Sequence, residues 1–600
     1  MSYRLEQNGE NTEIVIDNFG EGIADSPHSG MGMVKNVNVT TVPGEASVEL
    51  ETQALTQPPT VSAVSYTTDT SADTVTVSDA SSYYNGMAIT LNTVVTSTGI
   101  STGRVYWVGD LSSNTFKLYT NPSRHASTVV DITGSNGSGT LSSYTLGKPI
   151  DSAIGIASSE TYLYQFILDD AGRAWWIDNK DGTATNNLVY MGNDTLTGDE
   201  GRAIVCWKNH LIVFRASNVD GVGLAAMEQA NDFDSSYSDA ATGGWDYGWD
   251  SVSSFNLTGV NVRDVIVGED DILYFDNLNR LGSFSENTGS TLDLDNGATF
   301  TKNVSALDLP EEEEDALLTI GELGTDLLVG GRTNNVYPWD RISSSFNIPL
   351  KFPEHRIQKI VSSNSLTFIF AGYRGRIYVT NGSGVELFKK IPDHLAGSQN
   401  PYFTINTCEL TKNQIYFSFT ATTNAGGAVS GLDGVWALDI TTGSLRLNNT
   451  LTHATDGTTT TIQRYALSET PAGDGLVIGW EDDSSNYGVD IGSSNPYSGG
   501  ESVIETDIIP IGTNRFPETI SQIEYKLSKP LVSGESIQLL QRSNLNDSFT
   551  SIGTGNTAGS LSGSFDATFE NVEWLQIRVV LTSTDSSPSY VPLREIRIQL

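Results

Sequence analysis

Three aromatic residues in a glycine-rich segment, Gly243-Gly-Trp-Asp-Tyr-Gly-Trp-Asp250, are the side chains best placed by their types and spacing to bind another molecule. Trp245, Tyr247 and Trp249 alternate with Gly and Asp, a composition that favours a surface loop. Exposed aromatic rings stack on sugars and anchor protein interfaces, so these residues predict contact with a glycan or a partner protein. Packing of the same rings against a neighbouring loop or subunit fits the pattern equally well.

Known catalytic and metal-binding motifs are matched at most by their letters. Gly99-Ile-Ser-Thr-Gly103 has the order of a nucleophile elbow, but that motif needs a strand-to-helix turn and this segment is rich in Ser, Thr and Val. The six histidines are scattered without the paired spacing of zinc ligands. The sequence therefore predicts no catalytic residue, no cofactor and no metal site, and a protein that is not an enzyme.

Acidic segments offer weaker alternatives. Asp293-Leu-Asp-Asn-Gly297 has oxygen ligands around a turn but lacks the spacing of a calcium-binding EF-hand, and Pro310-Glu-Glu-Glu-Glu314 is typical of a solvated turn. Asp170-Ala-Gly-Arg-Ala-Trp175 resembles the end of the Asp-box hairpin of sialidase propellers, where the box is structural. Glycoside hydrolysis needs two convergent carboxyl groups, which the sequence does not single out, so a propeller glycosidase is the weakest hypothesis.

The charge and the cysteine content exclude further classes of function. The 600 residues carry 33 Lys and Arg against 72 Asp and Glu, a net charge of -39. This balance argues against tight wrapping of nucleic acid, yet it suits a surface past which DNA slides without adhering. Cys206 and Cys408 are predicted to be buried free thiols. No apolar run is long enough to predict a membrane span.

A repeated hairpin dominates the region of the chain that would position Trp245, Tyr247 and Trp249. Each unit has an apolar strand, a polar turn and a second strand with aromatic or branched residues, and the units recur every 39 to 61 residues. This period predicts a β-propeller of about six to seven blades over residues 146–498. The hairpins are predicted at 162–178, 211–227, 272–284, 327–339, 366–379, 415–439 and 476–491.

The flanking segments have different compositions. Residues 1–55, with irregular glycines and prolines, predict an N-terminal extended arm. Residues 56–145 are rich in Ser, Thr and Val and predict a small inserted β domain, whereas alternation over residues 499–600 predicts a C-terminal β-sandwich. The predicted fold class is therefore all-β, with a β-propeller as the largest domain.

Several of these stretches resemble the tail structural proteins of tailed bacteriophages. The resemblance lies in Asn18-Phe-Gly-Glu-Gly-Ile23, Asp25-Ser-Pro27 and Lys35-Asn-Val-Asn-Val39 of the arm, in Tyr84–Thr90, Thr102–Val108, Asn114–Leu118 and Val130–Thr133 of the inserted domain, and in Ile520–Arg542 and Glu573–Leu600. Together with the propeller pattern, they are most similar to the tail nozzle of short-tailed phages, the tail tubular protein B type.

This resemblance implies a virion protein that forms a homohexameric ring around the channel of genome ejection, below the portal and the adaptor. Its expected partners are further copies of itself, the tail adaptor and tail fibre or spike proteins, with genomic DNA passing without tight binding. The alternative hypothesis is a receptor-binding or adhesin tail protein that contacts glycans of the host surface. Trp245, Tyr247 and Trp249 would then supply the contact.

Overall fold

A computed structural model shows that the chain folds almost entirely into β-strands. The all-β prediction is confirmed, because the described residues form strands β1 to β46 and one short 3₁₀ turn. Among these residues no helix is long and apolar enough to span a membrane. The structure describes residues 2–8, 11–19, 33–37, 39–42, 45–48, 50–55, 57–156, 163–178, 187–192, 200–216, 219–224, 262–277, 279–292, 298–310, 318–363, 366–391, 401–411, 413–423, 434–450, 462–469, 476–482, 485–496, 502–513, 516–544, 547–583 and 591–600.

The first 55 residues contribute six short strands. They are β1 (Ser2–Asn8), β2 (Asn11–Asn18), β3 (Met33–Val37), β4 (Val39–Val42), β5 (Glu45–Val48) and β6 (Leu50–Ala54). β1 pairs with β2 and β4 with β5, while the remaining pairings are made with strands far along the chain.

Residues 64–143 form a closed six-stranded barrel in the order β10-β11-β8-β7-β12-β9. Over residues 64–69 and 74–77 buried side chains alternate with more exposed ones, as in a half-buried strand. The elements are β7 (Val64–Asp69), β8 (Thr74–Val77), β9 (Ala88–Thr98), β10 (Val105–Ser112), β11 (Thr115–Tyr119), the 3₁₀ turn η1 (Ala126–Thr128) and β12 (Thr133–Ser143).

Seven antiparallel sheets follow, numbered sheet 1 to sheet 7 in chain order. Sheet 1 has β13 (Pro149–Ile156), β14 (Leu163–Asp169), β15 (Ala174–Asp178) and β16 (Asn187–Tyr190); sheet 2 has β17 (Gly201–Trp207), β18 (His210–Arg215) and β19 (Val219–Gly223); sheet 3 has β20 (Val265–Val267), β21 (Leu273–Asn277), β22 (Arg280–Glu286) and β23 (Phe300–Asp308); sheet 4 has β24 (Thr319–Leu323), β25 (Asp326–Gly330), β26 (Asn335–Trp339) and β27 (Leu350–Lys351). Sheet 5 has β28 (Ile357–Ser363), β29 (Leu366–Ala371), β30 (Arg376–Thr380) and β31 (Val385–Lys390); sheet 6 has β32 (Tyr402–Thr411), β33 (Gln414–Thr422), β34 (Val435–Asp439) and β35 (Leu445–Asn449); sheet 7 has β36 (Ile462–Glu469), β37 (Leu476–Asp482) and β38 (Tyr487–Pro496).

The seven sheets form a closed ring. The first strand of each sheet contacts the first strand of the next, and β36 of sheet 7 contacts β13 of sheet 1. Sheet 7 receives its fourth strand from the N-terminal region, because β6 pairs antiparallel with β38. Sheet 7 therefore combines three strands from residues 462–496 with one strand from residues 50–54.

The predicted hairpins are the second and third strands of these sheets. Six of the seven predicted pairs coincide with observed antiparallel neighbours. In sheet 2 the third strand is β19 at Val219–Gly223, while residues 225–227 of the predicted strand Leu224–Met227 lie outside the described residues. The innermost strands, β13, β17, β20, β24, β28, β32 and β36, were not part of any predicted hairpin.

Eight C-terminal strands share one hydrophobic core with the N-terminal strands. They are β39 (Ser502–Thr506), β40 (Ile509–Pro510), β41 (Glu518–Leu527), β42 (Ser536–Arg542), β43 (Thr550–Gly555), β44 (Ser562–Val572), β45 (Trp574–Thr582) and β46 (Leu593–Gln599). Two sheets meet at this core: one has the order β1-β2-β46-β41-β44, and the other continues from β35 of sheet 6 through β3 to β39-β45-β42-β43. Residues 1–55, predicted as an extended arm, thus supply strands to both C-terminal sheets as well as to sheet 7.

The barrel is docked on the outer part of sheet 1. The indole Nε1 of Trp107 donates a hydrogen bond to the backbone oxygen of Tyr190 at 2.7 Å, and the guanidinium of Arg124 pairs with Asp178 at 2.7 Å. Trp107 is fully buried in a core that also contains Trp175 and other side chains of sheet 1. This shared core holds the barrel in a fixed position against the ring.

Candidate functional site

The first strands of sheets 1 to 6 surround a cavity of about 520 Å³ at the centre of the ring. Its lining mixes branched apolar residues with charged ones, among them Asp151, Arg202, Asp264 and Lys359. Centrally placed charged groups of this kind are where a ring of sheets would hold a substrate or a cofactor, so their hydrogen bonds decide what the cavity can do.

A recurrent hydrogen bond joins neighbouring first strands around this cavity. A first strand is the inner edge of its sheet, so some of its backbone N–H groups have no partner within the sheet. In four of the joints a side chain of one sheet accepts such an N–H from an isoleucine of the next. The pairs are Asp151 Oδ2 with Ile204 at 2.8 Å, Asp264 Oδ2 with Ile320 at 3.0 Å, Thr319 Oγ1 with Ile360 at 3.1 Å, and Gln358 Oε1 with Ile405 at 2.8 Å.

Lys359 and Asp264 add an ionic contact between sheets 5 and 3. The ammonium Nζ of Lys359 lies 3.8 Å from Oδ1 of Asp264. The negative charge of Asp264 raises the pKa of Lys359 above its ordinary value, against the opposing effect of burial. Lys359 is therefore held in its charged form, and it compensates the carboxylate that also bonds Ile320.

Two carboxyl groups near this pair have strongly raised pKa values. Burial raises the pKa of Asp151 to about 6, although the N–H groups of Ile204 and Ser152 lower it. The pKa of Asp276, in β21, is likewise raised to about 7, chiefly by burial and to a smaller extent by the charge of Asp264, against the lowering effect of its backbone hydrogen bonds. Oδ1 of Asp276 accepts the backbone N–H groups of Arg263 and Asp264 at 2.6 and 3.0 Å.

The two cysteines also line this cavity. Both are free thiols, as predicted, but the two residues are of intermediate exposure rather than fully buried; desolvation of the thiol groups raises the pKa of Cys206 and of Cys408 well above the ordinary value. A thiol with a raised pKa is a poor nucleophile at neutral pH. Over the described ranges, the structure brings together no group of three or more His, Cys, Asp or Glu side chains that could hold a metal ion.

A second charged region lies at one end of sheet 5. The guanidinium of Arg374 lies 5.0 Å from the ring centre of Tyr402, and Arg376 pairs with Glu354 at 2.6 Å. Tyr373 and Tyr402 contact each other edge to face and are 42% and 38% exposed. This region, formed by Glu354, Tyr373, Arg374, Arg376, Lys390 and Tyr402, is called the sheet 5 basic end below.

The structure describes only some of the candidate site residues predicted from the sequence. Trp245, Tyr247 and Trp249 lie outside the described residues, as do the segments 293–297 and 311–314. Gly99–Gly103 connects two strands of the barrel without a helix, and both glycines have positive φ. That turn has none of the strand-to-helix geometry of a nucleophile elbow.

The Asp-box-like turn is organised by Asp169 rather than by Asp170. Asp169 accepts hydrogen bonds from the Trp175 indole at 2.8 Å and from the backbone N–H groups of Gly147 and Arg173 at 2.9 Å each. Burial raises its pKa to about 6. The carboxylate is thus used to fix a hairpin, which is the structural role expected from the resemblance.

The polar residues of the first strands were not predicted from the sequence as candidate site residues. Their common signal is a polar side chain next to a branched one, as in Thr319-Ile320 and Gln358-Lys359-Ile360. Such short patterns recur throughout a chain rich in Thr and Asp, and only the spatial meeting of two sheets distinguishes those that bond across a joint.

Comparison with protein-family models and with curated proteins finds no match. Among solved structures, the chain is similar to the computationally designed Ika8 protein at 11% identity, with a TM-score of 0.34 over 57% of this chain and 96% of that one. It is similar to a chain of the mitotic checkpoint complex at 9% identity, with a TM-score of 0.36 over 57% of this chain and 88% of that one. The β-propeller domain of Myceliophteria thermophila Cps50 (Swd1) matches at 10% identity, with a TM-score of 0.37 over 58% of this chain and 96% of that one.

Proposed function

We propose that this chain is a structural, non-enzymatic protein of a phage tail, and that several copies form the nozzle around the channel of genome ejection. In this proposal the ring of sheets is a seven-bladed β-propeller, residues 56–145 are an inserted domain, and the C-terminal sheets are a β-sandwich. The expected neighbours are the tail adaptor and the fibre or spike proteins, and the expected location is the virion.

The observation that carries the proposal is the use of the polar residues at the centre of the ring. Asp151, Asp264, Thr319 and Gln358 bond the backbone of the adjacent sheet, and Lys359 lies against Asp264. These side chains are engaged in joining sheets rather than in presenting free groups to a substrate. A ring stabilised in this way suits a rigid wall.

Strand pairing between the N-terminal and the C-terminal regions supports the same proposal. β6 completes sheet 7, β3 lies between β35 and β39, and β2 pairs with β46. Pulling on the C-terminal sheets would therefore have to separate strands held by both ends of the chain. A component through which a genome is ejected under pressure needs such resistance to local opening.

The size of the cavity decides where DNA could pass. The major groove of B-DNA alone is about 12 Å wide, so a cavity of about 520 Å³ does not admit a duplex. The proposed channel is therefore enclosed by several copies of the chain rather than by the ring of sheets within one copy. The net charge of -39 keeps DNA from adhering to such a channel.

Sedimentation of the purified full-length chain, with and without duplex DNA, tests the proposal. The expected species is a discrete oligomer of the 64.5 kDa chain that binds DNA weakly. A protein that stays monomeric and binds glycans, with binding lost in Trp245→Ala or Trp249→Ala, would support the adhesin hypothesis instead. Hydrolysis of a glycoside by the monomer would favour the glycosidase.

A further inference from the structure

The sheet 5 basic end lies in a stretch whose charge is opposite to that of the whole chain. Residues 351–390 carry seven Lys or Arg side chains and two Glu, whereas the chain has 33 basic and 72 acidic residues. A concentration of positive charge in a strongly acidic protein creates a local field that attracts acidic surfaces.

Backbone hydrogen bonds bring the contributing segments to one end of the sheet. The N–H of Gly372 bonds the oxygen of Arg356 at 2.7 Å, and the N–H of Phe403 bonds the oxygen of Tyr373 at 3.0 Å. Gln358 also donates to the backbone oxygen of Phe403 at 2.9 Å. The loop before β28, the turn between β29 and β30, and the start of β32 are thus fixed side by side.

The charges at this end do not balance. Among the described residues, the Glu354 carboxylate lies in the field of three cations, Arg376, Arg374 and Lys390. The side chain of Glu354 is only 15% exposed and its Oε1 is engaged by Arg376. Arg374 is exposed and lies over the ring of Tyr402, so the outer surface of this end is cationic.

The exposed residue types fit a protein partner. Tyr and Arg are enriched in protein interfaces and supply most of their strongest contacts. Arg374 is already ordered by its contact with Tyr402, so binding costs less side-chain entropy than it would for a free arginine. A nucleic acid would instead be held by a longer row of cations, which a chain with a charge of -39 does not favour.

We propose that the sheet 5 basic end docks on an acidic surface of a second copy of this chain. Two copies repel each other over most of their surfaces, and this end is where positive charge meets the negative charge that the rest of the chain supplies. The contact joins unlike surfaces, so it is heterologous, and repetition of a heterologous contact closes into a ring when the rotation permits. The inference rests on the proposed function, to which it adds the interface between subunits.

Charge reversal at Arg374 tests the inference. Arg374→Glu is compared with Arg280→Glu, a matched reversal on sheet 3 at an exposed arginine whose pair with Asp308 at 3.1 Å is solvated. Both full-length variants are checked for an unchanged thermal midpoint, and their assembly is measured by sedimentation at about 0.1 M and about 1 M salt, where the Debye lengths are about 10 Å and about 3 Å. Arg374→Glu is expected to raise the dissociation constant of the oligomer at least about tenfold, and Arg280→Glu to leave it unchanged.

The outcomes separate this inference from the proposed function. Assembly of Arg374→Glu equal to that of Arg280→Glu would overturn the assignment of the interface while leaving the nozzle proposal standing. Intact assembly of Arg374→Glu combined with loss of duplex DNA binding would also overturn it, because the basic end would then be a nucleic-acid site. A wild-type chain that is monomeric at both salt concentrations would refute the nozzle proposal and the interface with it.

Discussion

Replacing Asp276 by Asn removes a buried charge from sheet 3 and keeps the shape of the side chain. Asp276 is fully buried, and its Oδ2 has no hydrogen-bond partner among the described residues. Its Oδ1 accepts two backbone N–H groups, which the amide oxygen of Asn can also accept. The substitution therefore isolates the cost of keeping a carboxylate in this place.

The magnitude follows from the pKa. Burial raises the pKa of Asp276 from 3.8 to about 7, so the folded state binds this proton more tightly than the unfolded state. A raised folded-state pKa of an acid means that stability falls as the pH rises from about 4 to about 7 and stays reduced above that. The shift corresponds to about 4 kcal/mol at pH values above 7. Asp276→Asn should recover this energy at about pH 8 and gain nothing at about pH 4.

Denaturant unfolding followed by tryptophan fluorescence at several pH values measures the difference between variant and wild type. Burial also raises the pKa values of Asp151 and Asp169 to about 6. Both residues are present in variant and wild type, so their contribution to the pH dependence cancels in the difference between the two proteins. Asp271→Asn is the matched control, because the Asp271 side chain is 72% exposed and pairs with Lys208 at the surface. A difference that is independent of pH, or a variant less stable at pH 8 than the wild type, would refute the reasoning.

Three further substitutions test the joints of the fold by their effect on the free energy of unfolding. Asp169→Ala should cost about 3 kcal/mol because it removes the acceptor of three hydrogen bonds, one from the buried Trp175 indole and two from partly buried backbone N–H groups, whereas exposed Asp170→Ala should cost less than about 1 kcal/mol; equal effects would contradict the assigned role of Asp169. Asp220→Ala should cost about 3–5 kcal/mol because it breaks the buried pair with Arg215 at 3.1 Å, and a cost below about 1 kcal/mol, as expected for a surface pair, would be inconsistent with that burial. Trp107→Phe should cost about 1–3 kcal/mol by removing the buried hydrogen bond from the indole to the Tyr190 oxygen, and should increase proteolysis between barrel and sheet 1; an unchanged cleavage pattern would argue against docking through Trp107.

The second and third strands of the sheets could be predicted because burial on both faces gives them continuous apolar runs. β29 and β33, for example, read Leu-Thr-Phe-Ile-Phe and Ile-Tyr-Phe-Ser-Phe between polar turns. β19 was misplaced because Val219-Asp-Gly-Val-Gly223 has the composition of a loop. Its Asp220 is fully buried and pairs with Arg215 on the adjacent strand, a contact between strands that the local composition does not reveal.

The first strands were harder to predict because they line a polar cavity and face two different environments. β20 has three residues, and the polar Gln358 and Lys359 of β28 find their partners on sheets 6 and 3. Short strands with polar side chains do not show the period of a half-buried strand. The same limit applies to the candidate site, since its bonds join residues about 40 to 60 positions apart.

The placement of the N-terminal strands could not be derived from local pattern. β2 pairs with β46, joining Glu13 to Gln599, and β6 pairs with β38, joining Ala54 to Asp490. Glycines and prolines between these strands favour an irregular arm when the segment is considered alone. Its partners lie hundreds of residues away, so only the folded chain shows that these residues close the ring.

Electron microscopy of the native assembly tests the central claim most directly. The nozzle proposal predicts sixfold rings in which the chains enclose a channel lined by Asp and Glu and wide enough for a DNA duplex. A single copy of the chain in an intact particle, or a monomer with no channel between subunits, would contradict it.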